Sequence, residues 1–221
     1  MNLLTHYQKV RAHTLRLTQP LDIEDYSAQA AEFASPPKWH LGHTTWFFET
    51  LVLKEALPTY KIFNAEFPFI FNSYYQSLGE RIDRHKRGQL TRPSVKEVLR
   101  YRDAVDQAMQ QLLSKPVSPA LAQIVELGLN HEQQHQELLL TDIKYLFGTQ
   151  PLRPAYKSEK ETHLATAQEW LSVKGGLVEI GHKGSSFAFD NEQPRHQVFV
   201  APFSISNSLV TNEQWLGFIE A

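Results

Sequence analysis

The sequence predicts a mainly α protein, a four-helix bundle followed by the opening of a second, α+β domain. Three observations predict this. Long stretches of the first 148 residues carry helix-start signals and apolar periodicity, enough for four substantial helices. The connections between these helices are unequal, a profile that bundles tolerate. After residue 149 the pattern changes to short apolar runs among glycines, prolines and asparagines, the mark of strands and turns.

Each element has a local reason. Residues 2–18 read as a helix that ends near Gln19-Pro20, and LDIEDYSAQA as a short helical or capping segment. Ser35-Pro36-Pro37 is a helix-start signal, with a helix expected from Trp39 to Leu57. Residues 58–93 are irregular and aromatic, and a connection of that length points to function or to a segment wrapped over a site. Ser94 with Glu97 gives the capping-box pattern for the next helix. Ser118 caps the last one, expected to run to Phe147 with Gly148 as its stop. Residues 149–163 form a polar linker with two prolines. GGLVEIGHK and HQVFVAPFSIS read as strands, and VTNEQWLGFIEA as the start of a helix. About fifty residues of this kind are too few to close a domain without staples. The expected division is therefore a bundle over 1–150, a linker over 151–168, and an incomplete second domain over 169–221.

Composition narrows the function. The chain has 221 residues, 42% hydrophobic and 21% charged, enough for a sizeable core. A formal net charge of −2 gives no electrostatic reason to expect nucleic acid or an anionic membrane. The absence of cysteine excludes disulfides, protein thiolate nucleophiles and cysteine-type zinc sites, and fits a reducing compartment. MNLLTHYQKVRAHTLRL lacks the apolar run and small-residue cleavage site of a signal peptide. No apolar run approaches the roughly 18 residues of a spanning helix. A cytoplasmic protein is expected, and the sequence carries no signal of oligomeric state.

The chemistry lies in the histidines. On a helical wheel with His131 at zero, His135 falls at about +40°, close to Ile124 (about +20°), Leu138 (about −20°), and Leu127 and Tyr145 (about −40°). That stripe is expected to face the core, and the i, i+4 spacing lets both rings converge on one ion. Buried imidazoles need partners. The second helix offers His43, on a face with Trp39, Phe47 and Thr50, and His40 on an adjacent flank. His43 with His131 and His135 would give three neutral nitrogen donors, suited to Fe(II), Zn(II) or Mn(II). His40 could be the third ligand instead, or a surface residue.

HEQQH also fits the H-E-x-x-H signature of zinc hydrolases, in which Glu132 would be the general base. The motif does not continue as H-x-x-G-x-x-H. Glu159 and Glu161, possible downstream ligands, lie in a polar linker, and Glu132 sits at about +100° on the wheel, away from the histidines.

Three spaced segments, SPPKWHLGHTTWFFE, FNSYYQSLGERIDRHKRGQLTRP and NHEQQHQELLLTDIKY, resemble the EgtB family of ergothioneine-biosynthesis enzymes. The tail, GGLVEIG followed by FAFDNEQPRHQVFVAPFSISNSLVTNEQWLGFIEA, is similar to the start of that family's second domain. The resemblance implies a DinB-like bundle, then a domain like the formylglycine-generating enzyme or sulfatase-modifying factor, of C-type-lectin-like fold. It implies a non-haem iron sulfoxide synthase. Its Fe(II) would sit on His43, His131 and His135, with His40 outside the ligand set. It maps the family's R-x-x-R-G segment onto Arg84 and Arg87, which would clamp the thiol substrate's carboxylate. Taken alone, RIDRHKR would read as a solvated basic loop.

The implied substrates are a cysteine-type thiol (cysteine or γ-glutamylcysteine), the trimethylated histidine hercynine, and O₂. The family's proton-donating tyrosine and much of its betaine pocket belong to segments past Ala221, and neither Tyr74 nor Tyr75 is assigned that role. DNEQPRH, from Asp190 to His196, is expected to organise turns rather than to do chemistry. The alternatives are a metal-binding bundle without oxidative activity and, further off, a zinc hydrolase.

Overall fold

The computed structural model describes residues 2–73, 81–157 and 167–221. The chain divides into two units, Met1–Ser158 and Glu159–Ala221.

In the first unit, helix α1 spans Leu3–Thr18 and is capped by Asn2, whose side chain accepts from the Thr5 N–H at 2.7 Å. A short 3₁₀ turn, Asp25–Ser27, follows. Helix α2 spans Pro37–Phe48, with Pro37 in the first turn, where its missing N–H costs nothing. All of its residues are buried, the polar Lys38, His40, His43, Thr44 and Thr45 included. It does not run unbroken to Leu57. A π-helical segment, Glu49–Leu53, interrupts it before the short α3, Lys54–Ala56. The reason is Glu49, a buried carboxylate that accepts from Tyr60 OH (3.0 Å), Phe63 N–H (2.8 Å) and Tyr101 OH (2.6 Å). The wider turn lets that one acidic group reach all three donors.

Within the connection over 58–93 lie α4, Phe67–Phe71, and a 3₁₀ turn, Arg84–Gln89. Helix α5 spans Val95–Leu113, and Ser94 Oγ accepts from Glu97 N–H at 3.2 Å. Helix α6 spans Pro119–Thr149 and is capped by Ser118. Gly148 lies inside it. The stop is Gln150-Pro151, where the proline ring disfavours helical backbone at the residue before it.

Helix α2 packs on both α5 and α6, and α1 packs on α6. Two glycines permit close packing, Gly42 of α2 against α4 and Gly128 of α6 against α2. A Cβ on Gly42 would lie 2.1 Å from the Phe71 ring, and one on Gly128 2.6 Å from that of Phe47. The main core joins Tyr7, Trp46, Phe47, Phe48, Val105 and Leu129, among others. A smaller cluster of Leu139, Ile143 and Phe147 continues along α6 against Leu17, Leu21 and Tyr156.

A buried ionic network ties α1, α5 and α6 together. Glu132 accepts from Arg11 (2.9 Å), Arg102 (2.5 Å) and Thr14 (2.5 Å), while Arg11 also pairs with Asp106 at 2.6 Å. The stripe of α6 that faces the core is therefore Val125, Leu129, Glu132, Gln136, Leu139 and Ile143. This corrects the wheel reading. Ile124, Leu127, Leu138 and Tyr145 are 37–47% exposed, whereas Glu132 is fully buried. The core stripe centres near +120°, close to Glu132 itself, and it tolerates a carboxylate because two guanidinium groups neutralise it.

The second unit contains two antiparallel pairs. Strand β1, Trp170–Val173, pairs with β4, Phe203–Ser206; β2, Gly176–Ile180, pairs with β3, His196–Val200. Helix α7, Asn212–Glu220, follows with Thr211 as its cap. DNEQPRH does organise turns: Asp190–Glu192 forms a 3₁₀ turn, Glu192 accepts from Phe189 N–H (2.8 Å), and Arg195 bonds Glu179 and the Gly181 carbonyl. No described residue of this unit is buried.

Candidate metal centre

His43, His131 and His135 each offer a ring nitrogen, and the three lie within 4.8 Å of one another. They sit at one cavity of the bundle, about 290 Å³, lined also by Trp39, His40, Arg84, Arg87 and Asp142. His43 comes from α2 and the other two from α6, an arrangement set by the α2–α6 packing over Gly128.

Ring orientation is fixed from outside. The His43 Nδ1–H donates to the Phe71 carbonyl at 2.6 Å, which leaves the lone pair on Nε2. That Nε2 stands 3.2 Å from His131 Nε2. The His43 ring is also stacked on Trp39, with centroids 4.5 Å apart and planes 13° apart, and on Trp46. Trp39 donates its indole N–H to the Ile70 carbonyl, so α4 anchors both rings. His40 is not a surface residue. It is 3% exposed, its Nδ1 lies 2.9 Å from His135 Nδ1, and its Nε2 lies 3.0 Å from Asp142 Oδ2.

The rings are held neutral. Burial pushes His43 well below the ordinary histidine range, and the facing His131 lowers it further. Burial takes His131 down to about 4 despite the neighbouring Glu132. His135 is likewise driven well below its usual value by burial, then by His43 and His40. Neutral imidazole is the form that ligates metal. Three such nitrogens aimed at a common space fit a divalent transition ion such as Fe(II) or Zn(II).

Arg87 is buried over the Trp39 ring, 3.3 Å from its centroid, and donates to Ser35 Oγ (2.8 Å) and Ser73 Oγ (3.2 Å). It is no solvated loop residue. Arg84 is exposed on the same cavity and reaches the Phe33 carbonyl at 3.4 Å. Glu132 does not line the cavity. Burial alone would raise its carboxyl, but Arg102 and Arg11 hold it at about 2, which disqualifies it as a general base. Glu159, Glu161, Tyr74 and Tyr75 lie outside the described residues.

The DinB superfamily model matches residues 6–139, more than half of the chain. The chain belongs to the DinB superfamily. Behind the DinB bundle, residues 155–221 match the sulfatase-modifying factor enzyme 1-like domain. Two curated relatives share this likeness. One is hercynine oxygenase of Mycobacterium tuberculosis, 25% identical over 222 aligned positions that cover 99% of this chain and 50% of that protein. The other is ergothioneine biosynthesis protein 1 of Neurospora crassa, 26% identical over 147 residues, 58% of this chain and 16% of that protein. The chain thus spans half the length of the mycobacterial relative and less of the fungal one. The domain order and both relatives support the resemblance to the EgtB family. No described helix is long and apolar enough to cross a membrane.

Sequence reasoning missed Asp142 in the DinB bundle, although a signal existed. It lies on α6 at about +20°, between His131 and His135 on the wheel. The stripe read as a core face is in fact the face of the site.

Proposed function

We propose that the DinB bundle holds Fe(II) on His43, His131 and His135 and belongs to an O₂-dependent enzyme that forms a C–S bond. The reaction joins a cysteine-type thiol (cysteine or γ-glutamylcysteine) to the imidazole of hercynine. It breaks the S–H bond and an imidazole C–H bond; one oxygen of O₂ ends on sulfur as a sulfoxide and the other leaves as water. The convergence of three neutral histidine nitrogens on a cavity that also holds two arginines carries this reading. The likeness to hercynine oxygenase and ergothioneine biosynthesis protein 1 supports the substrate class.

Iron held by His43, His131 and His135 would supply redox capacity. The chain's own residues do the rest. The three imidazoles ligate without competing protons. Arg87, stiffened by Ser35, Ser73 and Trp39, places a fixed positive charge at the cavity wall. Arg84 adds a second charge at the same cavity. Together they receive the carboxylate of the thiol substrate, and a planar guanidinium suits that ligand. No protein cysteine is needed, because the sulfur arrives with the substrate.

Iron-dependent O₂ uptake tests this. Thiol and hercynine together should raise O₂ consumption above either alone. Arg87→Leu should raise KM for the thiol roughly 10-fold or more while iron affinity holds, the loss of one charge-assisted contact of about 1.5–3 kcal/mol. A protein that retains only zinc and consumes no O₂ after iron loading would leave a non-oxidative metal module.

A further inference from the structure

We propose that His40 is a positioning residue, joining Asp142 to His135 in a hydrogen-bonded relay that fixes which nitrogen His135 offers to the metal. The inference rests on the metal centre described above and assigns a role to two residues that are not ligands in it.

The relay follows from donor and acceptor chemistry. Asp142 Oδ2 accepts the Ser35 N–H at 2.9 Å, so this oxygen is anchored as an acceptor. It also stands 3.0 Å from His40 Nε2, and a carboxylate oxygen only accepts, so His40 carries its proton on Nε2. The neutral ring then has its lone pair on Nδ1. That atom faces His135 Nδ1 at 2.9 Å, and two lone pairs at this distance would repel. His135 must therefore be the donor, with its proton on Nδ1 and its lone pair on Nε2. A carboxylate behind a histidine behind a ligand is a longer form of the outer support that metal-bound imidazoles commonly have.

The three proposed ligands are then supported differently. His43 is set by the Phe71 carbonyl and His135 by the His40–Asp142 relay. His131 Nδ1 is buried with no hydrogen-bond partner among the described residues. Its Nε2 stands 3.2 Å from His43 Nε2. His43 and His135 both keep their lone pair on Nε2, away from the outer partner that holds the ring.

Long-range ¹H–¹⁵N correlation on ¹⁵N-histidine protein reads the tautomers directly, without metal or turnover. The metal-free wild type should show His135 protonated on Nδ1. His40→Leu should abolish that preference and weaken Co(II) binding roughly 10–100-fold. His40→Gln, whose amide can donate to Asp142 and accept from His135, should recover most of both. Far-UV circular dichroism keeps the variants comparable in fold, and the wild-type spectrum needs no variant. A wild-type His135 protonated on Nε2 would overturn the relay, as would His40→Leu binding Co(II) like wild type. If His43→Ala abolishes Co(II) binding and His40→Leu does not, the relay fails and the metal centre stands. If the wild type binds no Co(II) or Fe(II), the metal centre itself fails.

Discussion

Glu132 shows how far one residue's role departs from its motif. In HEQQH it occupies the position of a hydrolase base, yet Arg11, Arg102 and Thr14 claim its carboxylate in the interior. Removing one partner from a buried charge network leaves the others uncompensated, so Glu132→Gln should cost about 3–5 kcal/mol at pH 7 by urea denaturation. A hydrolase base would instead leave stability intact. The pH dependence has a definite sign. Burial opposes ionisation, but Arg102 and Arg11 bring the folded carboxyl to about 2 from an ordinary 4.5. The folded state then binds fewer protons than the unfolded chain between those values. The stability Glu132 contributes is present above 4.5 and is lost as pH falls towards 2. The urea midpoint of Glu132→Gln should be flatter over that window than that of wild type. Little of this was legible in the sequence, because the partners lie 121 and 30 residues away. The i, i+4 pair His131 and His135 was legible, since helical periodicity is local.

At the scale of elements, caps were the readable part. Ser94 and Ser118 start α5 and α6 as their chemistry predicts, because a cap bonds within three residues of itself. The faces were harder. Helix α6 carries a core stripe and a site stripe about 110° apart, and large apolar residues such as Leu127 and Leu138 drew the wheel towards the site stripe. The π-helical turn at Glu49 was not legible, since its cause is three donors from other segments. The approach of α2 to α6 fixes the distance between His43 and the α6 histidines. Gly128→Ala would push a methyl group into the rings of Phe47 and Phe48, at 2.6 and 2.7 Å. Overpacking of this kind costs about 1–3 kcal/mol, and it should also weaken Co(II) binding by separating the ligands. Denaturation and metal titration on the same variant check both effects. A destabilised variant with undiminished Co(II) affinity would show that the ligands adjust independently of the helix spacing.

For the molecule as a whole, the division into a DinB bundle and a sulfatase-modifying-factor-like segment was readable because the pattern of residues changes abruptly after residue 149. The bundle closes a core of its own and contains the whole histidine cluster. Metal binding should therefore be a property of the first unit. The central claim is that His43, His131 and His135 together hold one iron. Anaerobic Fe(II) titration of this chain tests it most directly, comparing wild type with His43→Ala, His131→Ala and His135→Ala. The wild type should bind one ion per chain, and each variant should bind at least 10-fold more weakly. Undiminished affinity in His43→Ala would contradict it and move the third ligand away from α2's inward histidine.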